Sequence, residues 1–161
     1  MILNNRGMFL ESVINNSIEN NKDNNNYLLA KTSVTNKIIS IDTDNFVKAK
    51  LLKNDFCDYI GVYKGTYLEI EAKETELEYF NLSNIKKHQF KKLTNVSKHN
   101  GVALIFIYFH ENENIYVVDI KQFIELNIRK IPLEWFNENC YSVKIDNLFL
   151  DLELILKKFI T

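Results

Sequence analysis

The chain has 161 residues, 46% of them hydrophobic, a net charge of -1 and two cysteines. That suits one domain with a sizeable core, and it excludes a disordered chain, a disulfide framework built on Cys57 and Cys140, and a uniformly basic nucleic-acid binder. No signal sequence or apolar run of membrane-spanning length is present, so a soluble cytoplasmic protein with no membrane partner is expected.

In chain order, residues 1–6 read as a flexible start in which Arg6 is within reach of a phosphate. Residues 7–20 have helical periodicity, with Leu10, Ile14 and Ile18 on one stripe. Glu11 lies off that stripe, where an acid in the first turn favours the helix dipole. A polar linker over 21–26 leads to a short core strand from Tyr27 to Ala30. Residues 37–42 and 46–50 predict a hairpin with Lys48 and Lys50 on one face, a lysine-protected edge in its plainest reading. Residues 82–99 predict an amphipathic helix whose stripe runs through Leu82, Ile85, Leu93 and Val96 and also carries Gln89. A polar amide on an inward face must be satisfied, by capping a backbone group or by pointing into a site. Gly101 ends that helix, and the apolar run Val102 to Phe109 suits a central strand covered on both faces. Ile115 to Ile120 reads as a second core strand, 121–127 as a short helix, and Pro132 as the first turn of another containing Trp135 and Phe136. Tyr141 to Ile145 is a last short strand. Asn147 then caps a helix to about Ile160 whose wide apolar surface serves either the sheet or a dimer interface.

Charge is uneven along this order. The segment 83–98 carries Lys86, Lys87, Lys91, Lys92 and Lys98 without an acid, and 31–53 carries Lys31, Lys37, Lys48, Lys50 and Lys53 against Asp42 and Asp44. Such local fields act on a polyanion even when net charge is near zero.

The stretch 57–73 holds the chemistry. Its aromatic and β-branched residues favour strands on either side of Lys64-Gly65, a usable two-residue turn. With Tyr63 facing Thr66, Asp58 comes opposite Glu71 and Phe56 opposite Lys73. By the period of two, Leu68, Ile70 and Ala72 share an inner face while Tyr67, Glu69, Glu71 and Lys73 share the other. Two carboxylates placed opposite each other have β-carbons roughly 4.5 to 5.5 Å apart and repel. A divalent cation such as Mg²⁺ relieves that repulsion, and a lysine beside it can stabilise charge on a phosphorane-like transition state. The plainer alternative is a solvated strand face.

The run Asp58-Tyr59-x-Gly61-x-Tyr63-Lys64-Gly65-x-Tyr67-x-Glu69-x-Glu71-Ala72-Lys73-Glu74-Thr75 resembles the signature of the RecU family of Holliday-junction resolvases, within the PD-(D/E)xK nuclease superfamily. Asn5-Arg6-Gly7-Met8-x-Leu10-Glu11 resembles that family's opening motif, and Phe80-x-Leu82-x-Asn84-x-x-x-His88-Gln89 its next block. The resemblance implies one α/β domain over 1–161, with a restriction-endonuclease-like mixed central sheet flanked by helices and a stalk hairpin at about 32–53. It implies Asp58, Glu71 and Gln89 as ligands of Mg²⁺ or Mn²⁺, Lys73 as transition-state stabiliser, and Glu11 as a motif acid. Arg6, Lys31, Lys37, Lys48, Lys50, Lys86 and Lys87 become phosphate contacts. The activity implied is paired nicking of four-way junction DNA by a homodimer, in recombination and repair, alongside a RecA-type recombinase and a branch-migration helicase. Phe56 stands where the family usually has threonine, and the segment between Lys31 and Asp58 is shortened. These departures motivate an alternative, a branched-DNA-binding protein of the same fold that does not cut. A purely structural interaction domain, its lysines merely solvating, is the third reading.

Overall fold

The alternation read around Lys64-Gly65 forms the middle of a six-stranded sheet in the computed structural model, which describes residues 8–21, 26–33, 36–44, 46–52 and 55–161. Arg6, with Asn5 and Gly7 of the opening motif, lies outside the described residues. Strands β1 (Tyr27–Lys31), β4 (Tyr59–Tyr63) and β5 (Thr66–Thr75) are joined by β7 (Val102–Phe109), β8 (Asn114–Asp119) and β10 (Tyr141–Lys144) in the order β1-β4-β5-β7-β8-β10. Only β5 and β7 pair in parallel, so the sheet is mixed, as expected. The long crossover between them contains β6 (Tyr79–Asn81) and helix α2 (Lys87–Lys98), which covers one sheet face.

Each face has its own core. On one, α1 (Phe9–Asn20) and α5 (Leu152–Phe159) bury Leu10, Val13, Ile14, Ile155 and Leu156 against Leu68, Ile70, Leu104 and Phe106. On the other, α2, α3 (Ile120–Ile124) and α4 (Leu133–Asn139) pack Leu93, Phe123 and Phe136 against Ile105, Ile107 and Phe109. Strand β7 is covered from both sides along nearly its whole length, which is why it reads as a continuous apolar run. Each of its large side chains contributes about 1.5–3 kcal/mol by leaving water.

Several boundaries differ from the sequence reading. Strand β1 is an edge strand with only Tyr27 buried, not a core strand. The helix expected over 82–99 begins at Lys87; Leu82–Asn84 form a separate 3-10 turn capped by the Asn81 side chain on Ser83 N. Asn100, not Gly101, takes the left-handed conformation after α2. Gly101 matters for space, because a β-carbon there would meet Val96 Cγ1 at 2.7 Å. The last helix is capped by Asp151, whose carboxylate accepts from Leu154 N at 2.9 Å. Asn147 instead sits in a turn at positive φ beside Leu148. The apolar surface of α5 is used on the sheet, with Leu152, Ile155, Leu156 and Ile160 all buried. A small sheet pairing β6 with β9 (Lys130–Pro132) has no counterpart in the sequence reading.

The hairpin expected from residues 37–42 and 46–50 is present as a separate two-stranded sheet of β2 (Asn36–Ile41) and β3 (Val47–Leu51), exposed at every position of both strands. Lys37 pairs with Lys50 and Ser40 with Lys48, with a bulge between Ile38 and Ser40. The chain leaves the body at Thr32 and returns at Cys57-Asp58, where Thr32 N donates to Asp58 O at 2.8 Å and Thr32 Oγ1 to Cys57 O at 2.8 Å.

Candidate active site

The hairpin register is the one the turn dictates: Tyr63 faces Thr66 and Tyr59 faces Ile70. The ladder ends at Tyr59, while β5 continues to Thr75. Beyond that point β5 has no β4 neighbour, and the Ala72 N–H is taken by the Asp58 carboxylate at 2.9 Å. Asp58 therefore reaches the strand beside Glu71 through its side chain. Phe56, freed from the ladder, does not oppose Lys73; its ring lies under the Lys92 ammonium, 4.5 Å from it.

Alternation along β5 sorts the acids. Ile70 and Ala72 enter the α1–α5 core, and Glu74 on the same side accepts from Leu10 N at 2.7 Å and contacts His110. Glu69, Glu71 and Lys73 lie on the α2 side. The face that reads as solvated in sequence is buried: Glu69 and Glu71 are both 0% exposed. One oxygen of Glu71 accepts from Lys73 Nζ and from Gln89 Nε2. The other, Oε2, is buried and without a hydrogen-bond partner. An unpartnered buried carboxylate oxygen carries the full desolvation penalty of its lone pairs. Burial accordingly pushes Glu71 up to about 7, with Lys73 opposing the rise and Asp58 adding to it.

Gln89 does both of the things left open by its sequence position. Sitting in the first turn of α2, it accepts the Lys86 N–H through Oε1 at 2.9 Å and donates to Glu71 through Nε2. Among the described residues no cluster of three or more His, Cys, Asp and Glu side chains converges as a cation site. The polar groups that meet around Glu71 are the Asp58 carboxylate, the Lys73 ammonium and the Gln89 amide. Two hard carboxylates, one with a bare oxygen, suit a divalent cation that keeps most of its waters.

Glu11 is not brought into this set. It pairs with Lys31 at 2.7 Å, and its backbone carbonyl accepts from Tyr59 Oη at 3.1 Å. Lys31 is thereby engaged with an acid as well as being exposed. Lys37, Lys48 and Lys50 are exposed on the β2–β3 hairpin, and Lys86 and Lys87 are exposed at the start of α2. Sequence reasoning gave Glu69 no role. It accepts from Cys57 N at 3.0 Å and Tyr67 Oη at 2.7 Å and faces Lys92 at 3.3 Å. Its place on the Glu71 face was readable; the covering of that face by α2 was not.

The family model described as Recombination protein U matches residues 5–158. The chain is similar to the Holliday junction resolvase RecU of Mycoplasmopsis pulmonis (strain UAB CTIP), 34% identical over 145 residues covering 90% of this chain and 88% of that one. It is also similar to the Holliday junction resolvase RecU of Lactococcus lactis subsp. cremoris (strain SK11), 30% identical over 154 residues, 89% of this chain and 72% of the other. Among solved structures, the Holliday junction resolvase Hjc of Archaeoglobus fulgidus superposes with a TM-score of 0.49 and 12% identity, over 81% of this chain and 92% of that one.

Proposed function

The chain belongs to the RecU family, and on that premise we propose that it is a divalent-metal-dependent endonuclease that resolves Holliday junctions by paired nicks, acting as a homodimer. The observation that carries the reading is Glu71: fully buried, one oxygen held by Lys73 and Gln89, the other bare, with Asp58 beside it.

In this reading Asp58 and Glu71 hold the ion, Mg²⁺ or Mn²⁺. Gln89 would join them through its carbonyl oxygen, which here accepts from Lys86 N. When bound, such an ion polarises the scissile phosphate and lowers the pKa of an attached water. The protein's own share is positional. Asp58, tied to Ala72 N, keeps one oxygen fixed in place. Lys73 gives up Glu71 and turns its ammonium to the negative charge that builds on the phosphate oxygens. Lys48 and Lys50 on the stalk, Lys37 opposite Lys50, and Lys86 and Lys87 on α2 take phosphates that are not cut, and Lys31 does so in competition with Glu11. Such contacts fix the position of the duplex arms without reading sequence. Arg6, Glu11 and partner proteins of the recombinase and helicase classes belong to the same reading. A two-fold dimer suits a two-fold junction, because symmetric sites reach symmetric phosphodiesters.

The test is incubation of a labelled four-way junction with wild type, Glu71→Ala and Lys73→Ala, with and without Mn²⁺ or Mg²⁺. Paired nicks are expected only in wild type with metal, while junction binding persists in both variants. Metal-independent cutting overturns the mechanism, and binding without cutting by wild type favours the non-cleaving alternative.

A further inference from the structure

Two glutamates on one strand face are fully buried, and they are used differently. Glu71 leaves an oxygen bare. Glu69 leaves none: Oε2 accepts from Cys57 N, and Oε1 accepts from Tyr67 Oη and faces Lys92. A carboxylate with both oxygens committed is no ligand. Yet a buried charge is expensive to keep, several kcal/mol per ion even after relaxation, and an amide would accept the same Cys57 N–H. What the charge adds is strength and stiffness, since hydrogen bonds to an ionised acceptor are shorter and about twice as strong as neutral ones.

The bond is made at a telling place. Cys57 immediately precedes Asp58, and here the chain has already left the β4 ladder, so no strand pairing fixes it. Besides the backbone bond from Thr32 N to Asp58 O at 2.8 Å, three side-chain clasps set the conformation of this segment. Glu69 holds Cys57 N, Thr32 Oγ1 holds Cys57 O at 2.8 Å, and Asp58 Oδ2 meets Ala72 N at 2.9 Å. Lys92 spans the arrangement, 3.3 Å from Glu69 and 4.5 Å over the Phe56 ring. Residues 56, 57 and 58 are thus each tied to β5 or α2.

We propose that Glu69 is a positioning residue: by holding the Cys57 N–H it aims the Asp58 carboxylate at Glu71, and so sets the affinity of this pair for a divalent cation. The inference rests on reading Asp58 and Glu71 as a metal site. Groups that orient ligands without touching the ion change metal affinity or activity about 10- to 100-fold when removed. Glu69→Ala removes the clasp; Glu69→Gln keeps an acceptor for Cys57 N without the charge.

The experiment is Mn²⁺ titration of the full chain without DNA, followed by calorimetry and by loss of the free-ion paramagnetic signal, with circular dichroism to establish folding. Relative to wild type, Kd for Mn²⁺ is expected to rise about 10- to 100-fold in Glu69→Ala and by less in Glu69→Gln. Junction cleavage by both should recover at saturating Mn²⁺, because the substitutions weaken occupancy and leave the chemistry alone. Should Glu69→Ala fail to fold, Glu69→Gln decides alone. A folded variant with wild-type affinity overturns the proposal while the metal site stands. A wild type that takes up no Mn²⁺ overturns the metal reading, and this inference with it.

Discussion

Glu71 gives the metal-free protein a pH dependence with a defined sign. Burial raises its carboxyl from the ordinary 4.5 to about 7. Between those values the folded protein holds a proton that the unfolded chain has released. The stability this group contributes is therefore fully present below 4.5 and lost as pH climbs through 7. At about 1.4 kcal/mol per pH unit, the interval corresponds to about 3 kcal/mol at most. Other groups titrate in the same window, so Glu71→Gln, which cannot titrate there, serves as the reference. Urea unfolding of both proteins in chelator, at pH values from about 4 to about 8, gives the stability of each. The mutant's stability relative to wild type should climb with pH by up to about 3 kcal/mol and level off above about 7. Saturating Mn²⁺ should reverse the wild-type slope, because the ion binds the carboxylate and competes with its proton. A mutant-minus-wild-type difference that stays flat across this range would refute the argument, since Glu71 would then ionise as an exposed acid does.

Lys48→Ala with Lys50→Ala should weaken junction binding and reduce the slope of log K against log salt by about one for each phosphate no longer neutralised, read by fluorescence anisotropy at several salt concentrations. Unchanged affinity would make the stalk lysines mere edge protection. Ser17→Ala strands the buried Leu150 N–H that its hydroxyl accepts at 2.8 Å, so a drop of about 1–3 kcal/mol in urea unfolding is expected. In Gly61→Ala the new β-carbon would lie 2.2 Å from the Leu28 carbonyl oxygen of the neighbouring strand. Pushing β1 off β4 should lower the unfolding temperature, at about 1–3 kcal/mol by the usual cost of overpacking.

What was legible in the sequence follows from locality. A two-residue turn and strict alternation set the β4–β5 register from Tyr63 and Thr66 outward, and with it the neighbourhood of Asp58 and Glu71. The apolar run of β7 announced a strand covered twice. Departures arise where partners are distant. Pairing of Phe80 with Ile131 involves three-residue strands with no periodicity to read. Asn147 resembles a cap by type, but Asp151 makes the capping bond because the chain turns at positive φ first. Glu69, Glu71 and Lys73 look like a wetted face because nothing in a strand's own pattern reveals that a helix later in the chain will roof it.

The pinch at the base of the stalk has an implication for evolution. Since Thr32 is bonded to both Cys57 and Asp58, the excursion between them begins and ends at one point of the body. Closing a flexible loop of twice the length adds only about 0.6 kcal/mol. Insertions and deletions there are accordingly almost free in stability, and they leave the geometry of Asp58 alone while changing how far the lysines project. A change in the length of the segment between Thr32 and Cys57 is thus a change of the hairpin's reach that leaves Asp58 where it is.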